Sequence, residues 1–126
     1  MSLYTPIHSE EVTQQSMGHA KTPRKRPTIG YVAPDIHGAS QIQWKGILDA
    51  AQKYDLNVIC FPGSSLHIPL GFRSQSNILY DLVTSHTVDG IISWASSLGN
   101  YADSDELQAF HERYHPLPIV TIGRTL

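Results

Sequence analysis

Between residues 28 and 122 the chain reads as strand, helix, strand, helix, strand, helix, strand. No other feature constrains the fold as much. Strands separated by helices pair in parallel through right-handed crossovers, and sheets of this kind take ligands outside the carboxyl ends of their strands. The first predicted strand, Thr28 to Ala33, carries Ile29, Tyr31 and Val32 and runs into Pro34-Asp35-Ile36-His37-Gly38-Ala39, a turn followed by a helix start. Ser40-Gln41-Ile42-Gln43 has the form of a capping box, which predicts Ser40 as the N-cap of the first helix. Trp44, Ile47, Leu48 and Ala51 recur at i, i+3, i+4 and i+7, the spacing of one buried face. Gly46 on that helix is expected to permit close approach to a strand.

The second strand is Asn57 to Phe61, ended by Pro62-Gly63-Ser64-Ser65. A second helix is predicted from Arg73 to Ser85 with Ile78, Leu79, Leu82 and Val83 as its apolar stripe, then a third strand from Val88 to Ser93. Asp103 with Glu106 forms a second capping box, opening a helix that turns Leu107, Phe110 and Tyr114 toward the sheet before Pro116 halts it. The fourth strand is Leu117 to Ile122.

These elements predict an α/β fold with a parallel four-stranded sheet in the order 2-1-3-4 and helices on both faces. Right-handed crossovers put the first helix on one face and the other two on the opposite face. Strands 3 and 4 have consecutive apolar residues, Ile91-Ile92 and Ile119-Val120, the pattern of strands buried on both sides. The first helix covers strands 1 and 2 alone, so a flank of strands 3 and 4 is expected to be open to a further helix, a second lobe or another subunit. The edge of strand 4 invites pairing with another chain.

The 126 residues fit one domain, and 40% hydrophobic with 16% charged residues is a globular balance. A net charge of −2 gives no electrostatic reason to bind nucleic acid or an anionic membrane. Cys60 is the one cysteine, which excludes an internal disulfide and suits a reducing, cytoplasmic setting. No apolar run approaches the roughly 18 residues of a membrane span. Residues 1–27 are polar and end in the basic knot Lys21, Arg24, Lys25 and Arg26; they read as a disordered, solvated tail ahead of the domain at 28–126. The tail has neither the periodicity nor the length of a helix-turn-helix, so direct DNA binding is not expected.

His111-Glu112-Arg113-Tyr114-His115 matches the zinc pattern H-E-x-x-H, but no His, Cys, Asp or Glu follows His115 to supply a third ligand. Tyr114 continues the core stripe, which is expected to leave both histidines near the surface. His37 and His67 fall in the loops after strands 1 and 2, where they can serve as loop residues, ligand donors or metal ligands. Asp35 stands where such a sheet presents side chains to a ligand, able to accept hydroxyl protons, or equally to hold a turn or cap a helix. Trp94 closes strand 3 and suits stacking on a ring or plain core packing. There is no G-x-G-x-x-G after strand 1, no phosphate-binding G-x-x-x-x-G-K-[ST], no aspartate at the end of strand 3 and no G-x-S-x-G elbow. No cofactor, metal or catalytic activity is expected.

Residues 27–63, 77–94 and 117–126 together resemble the first lobe of the lac-repressor and ribose-binding-protein family, the type 1 periplasmic-binding-protein fold. The resemblance is carried above all by Val88-Asp89-Gly90-Ile91-Ile92, Leu117-Pro118-Ile119-Val120 and the helix glycine Gly46. Ile59-Cys60-Phe61-Pro62-Gly63 with Leu79-Tyr80-Asp81-Leu82-Val83 is similar to lobes that precede histidine kinase or diguanylate cyclase modules. The resemblance implies one Rossmann-like or flavodoxin-like half of a two-lobed sensor that closes on a sugar, nucleoside or similar small polar ligand. By position it implies ligand contacts from Asp35, His37, Ser40 and Gln41, from Pro62, Gly63 and Ser64, and from Trp94 and Ser96. The aromatic residues many sugar-binding members carry at the places of Ser40 and Gln41 are absent. The second lobe is absent too, so the chain resembles a truncated first lobe, expected to act in transcriptional regulation or signal transduction as a homodimer or with a missing lobe or output domain.

Overall fold

A computed structural model describes residues 2–3 and 26–126. Its elements are β1 (Ser2–Leu3), β2 (Thr28–Ala33), α1 (Ala39–Lys53), β3 (Asn57–Pro62), α2 (Gly71–Ser74), a 3-10 helix (Gln75–Leu82), β4 (Gly90–Ser93), α3 (Ala95–Leu98), α4 (Ser104–Glu112) and β5 (Ile119–Thr121). The sheet order is β1-β3-β2-β4-β5. Its four parallel strands, β3-β2-β4-β5, have the order expected from the alternation. The two residues of β1 add an antiparallel strand outside β3, pairing Ser2 with Ile59 and Leu3 with Val58. The rest of the tail, residues 1 and 4–25, lies outside the described residues, but Arg26 belongs to the domain, bonded to Asp55 and Asn57.

Two cores line the two faces of the sheet. On one side α1 lays Trp44 and Ala51 over Tyr31, Ala33, Val58 and Cys60, with Ile47 and Leu48 packed alongside. Trp44 stacks on Tyr31 with ring centres 5.7 Å apart. On the other side the 3-10 helix and α4 bring Tyr80, Val83, Leu107, Phe110 and Tyr114 against Val32, Phe61 and Ile91. This distribution follows from crossover handedness and from the alternation of side chains along each strand.

The end of α1 is set by Asp55, which takes φ 58° and turns the chain out of the helix. The Leu56 N–H then reaches back to the Ala51 carbonyl at 2.8 Å, the long bond of a Schellman motif, while the two side chains meet in the apolar layer. At the start of α4 the Asp103 carboxylate accepts from the Glu106 N–H at 2.8 Å, the capping the sequence predicts.

Four sequence expectations are corrected. First, α1 begins at Ala39 with Gly38 as its cap, not Ser40, because the Ser40 hydroxyl is buried against Asp35 and the His37 carbonyl and cannot reach forward. Second, Gly46 permits no close approach to a strand, because it lines a groove instead. A methyl group there would meet nothing within 4 Å. Third, the second helix is a short α-turn followed by a 3-10 helix. Its inward residues are Tyr80 and Val83, while Ile78 and Leu82 are 69% and 57% exposed. Fourth, the last two strands, β4 and β5, are shorter than predicted, beginning at Gly90 and Ile119.

Among the described residues no element covers the expected flank. On the α1 side Ile92 is half-buried and Val120 is 64% exposed. Beside α1 runs a groove of about 260 Å³, lined by Ile29, Gly46, Ile47, Ala50, Ile92 and Ile122 among others. No helix among the described residues is long and apolar enough to cross a membrane.

Candidate functional site

Register brings the predicted contact residues to one edge. Ala33 pairs with Pro62 and Val32 with Ser93, so β2, β3 and β4 end level and their loops leave the sheet side by side. The Gly63 N–H donates to the Ala33 carbonyl at 3.2 Å and the Trp94 N–H to the Val32 carbonyl at 3.0 Å, stitching the three loop bases together.

Asp35 is exposed and held in place. Its Oδ1 accepts from the His37 N–H at 3.2 Å and lies 2.8 Å from the Ser40 hydroxyl. This is an Asx-type turn, so the turn role open in the sequence is occupied through one oxygen, Oδ1. Ser40 is fully buried and spent in this contact, whereas His37 and Gln41 are exposed on the same loop and first turn.

The second loop is tied inward. Ser64 is buried; its N–H donates to Asn77 Oδ1 at 2.7 Å and its carbonyl accepts from the Tyr80 hydroxyl at 2.8 Å. Gly63 is buried against the same Tyr80 ring, and Pro62 is half-buried. Burial pushes the Tyr80 phenol far up, so it stays a donor at any ordinary pH. The third loop carries Trp94, half-buried and packed on the α1-side core, which is the core role allowed for it. Ser96 is half-buried; its N–H meets the Ile122 carbonyl at 3.3 Å, and its side chain closes over Gly123.

The zinc-like motif is divided by the fold. His115 is exposed beyond the end of α4, whereas His111, expected near the surface, is buried. Its Nδ1 lies 2.7 Å from the Leu107 carbonyl, an acceptor only, so Nδ1 carries the proton and Nε2 accepts from the Ser93 hydroxyl at 2.7 Å. Desolvation lowers the His111 pKa, with the Leu107 carbonyl opposing. Sequence reasoning missed this pair, since the partners are joined by the crossover and not by spacing. His67 pairs with Glu106, in the first turn of α4. No group of three or more metal-ligating side chains occurs among the described residues.

The α1 side has its own perturbed groups. Burial, with Cys60 and Asp35 adding to it, pushes the Tyr31 phenol up to about 12, and its hydroxyl donates to Gln43 Oε1 at 3.0 Å. Burial likewise pushes the Cys60 thiol up to about 11, which keeps it protonated and unreactive.

Comparison with known protein families, with curated proteins and with solved structures found no match.

Proposed function

We propose that the chain is a non-catalytic sensing lobe for a small polar molecule of sugar or nucleoside type, acting in a cytoplasmic regulator as one side of a ligand cleft. One observation carries this reading: β2, β3 and β4 end level, the connection from β2 into α1 exposes Asp35, His37 and Gln41 at that edge, and the half-buried Trp94 follows the end of β4, its N–H bonded to the Val32 carbonyl. A carboxylate anchored through one oxygen offers an acceptor for hydroxyl or amine protons, while an indole edge offers an apolar surface for a ring. The resemblance to the first lobe of type 1 periplasmic-binding proteins supports the same reading. Affinity of one side alone should be low, because mature pockets enclose about 70–90% of a ligand. Isothermal titration against pentoses, hexoses and nucleosides tests it: weak binding abolished by Asp35→Ala is expected, and tight binding unaffected by that change overturns it.

The apolar groove beside α1 favours a second reading, an association module in which another copy of this chain covers the open flank. Lys45 and Asp49 stand one turn apart on α1 with opposite sign. An isologous contact about a twofold axis near Ile47 sets each against its counterpart. Sedimentation separates the readings: a stable dimer with no ligand response supports association alone.

A further inference from the structure

The segment between Leu70 and Val83 combines one helical geometry with an apolar spacing that suits another. A run of eight residues in 3-10 conformation is long for that geometry, which rarely exceeds three or four. In the observed form residues three apart stack in a column: Asn77, Tyr80 and Val83 face inward. That column is fixed at the loop after β3. Asn77 Oδ1 accepts the Ser64 N–H, and the Tyr80 hydroxyl reaches the Ser64 and Ala33 carbonyls at 2.8 and 3.3 Å. The same sequence read at the α period gives a different inward face, Ile78, Leu79, Leu82 and Val83, of which Ile78 and Leu82 now stand in solvent.

We infer that residues 75–82 form a two-state element whose 3-10 register is held by the Ser64 and Ala33 anchors and whose alternative is an α-helix that turns Ile78 and Leu82 toward the sheet. Local hydrogen bonding to the strand ends selects one register, and apolar periodicity selects the other. A 3-10 helix rises about 2.0 Å per residue against about 1.5 Å for an α-helix, so rewinding the segment shortens it by roughly 4 Å. That displacement would draw on the Ser64 loop directly. Its regulatory meaning rests on the proposed ligand edge: a molecule bound at the β2 and β3 ends changes the anchors and thereby the register. The two-state claim itself requires no ligand.

Two measurements on the ligand-free full chain test it. Backbone NMR of the Asn77→Ala/Tyr80→Phe variant should show α-type chemical shifts and slowed amide exchange across residues 78–83, and adding Ile78→Lys/Leu82→Lys should cancel that gain. Should the anchor variant prove unfolded, relaxation dispersion on the wild type decides. Exchange broadening confined to residues 75–83, lost in Ile78→Lys/Leu82→Lys alone, supports the inference. Flat dispersion in the wild type, or an anchor variant that becomes irregular without gaining α character, overturns it.

Discussion

A Cβ built on Gly63 would lie 2.4 Å from the Tyr80 ring, and one on Gly123, where φ is +82°, would lie 2.3 Å from Ser96 Oγ. Both glycines serve the carboxyl edge. At Gly63 the obstacle is a buried ring already fixed by two carbonyls, so Gly63→Ala should cost about 1–3 kcal/mol through overpacking, read as a lower urea midpoint. Gly46→Ala, in open space on a helix, should instead gain up to about 1 kcal/mol. His111 gives a pH dependence. The folded state keeps it neutral by burial, while the unfolded chain takes up a proton near the ordinary value of 6.5. Its contribution to stability is therefore complete above 6.5 and declines as pH falls through that value toward the lowered folded one. His111→Asn should flatten this acid-side slope and cost about 1–3 kcal/mol at neutral pH by leaving the Ser93 hydroxyl without its acceptor. Denaturant curves of both proteins across the acid range check it.

At the scale of elements, two capping boxes of similar form had different outcomes. Asp103 caps α4 as read, its carboxylate accepting from the Glu106 N–H at 2.8 Å within the first turn. The Glu106 backbone N–H holds that carboxyl below its ordinary value of 3.8. The capping contribution is then present above 3.8 and lost as pH falls through the lowered folded value. Asp103→Ala should destabilise α4 at neutral pH and become silent in strong acid, as its amide exchange will report. Ser40 failed as a cap because Asp35, five residues earlier, supplies a better partner in a loop whose course local spacing does not encode. The 3-10 helix was misread for a related reason. Periodicity identified a real apolar stripe, but Tyr80 and Asn77 are anchored by strand ends distant in sequence.

For the whole molecule, strand order, crossover faces and the open flank were legible because handedness and alternation act on the chain as a unit. That the loops after the first two helix-linked strands share one sheet edge was legible for the same reason, whereas their level register was not. The roles of individual polar side chains were not legible, since Ser64 in its loop, Ser93 in β4 and His111 in α4 are defined by partners that only the folded sheet brings near. The open flank makes its own prediction. Val120→Thr should change monomer stability by no more than about 0.5 kcal/mol, as an exposed substitution, yet weaken self-association measured by sedimentation if a second copy covers this face. The most direct test of the central claim is NMR titration of the chain with a panel of sugars and nucleosides. The account predicts that at least one ligand shifts resonances centred on residues 34–41, 62–64 and 94–96 and on the segment 75–83 anchored to them; shifts clustered along the groove beside α1, or none with any ligand, would contradict it.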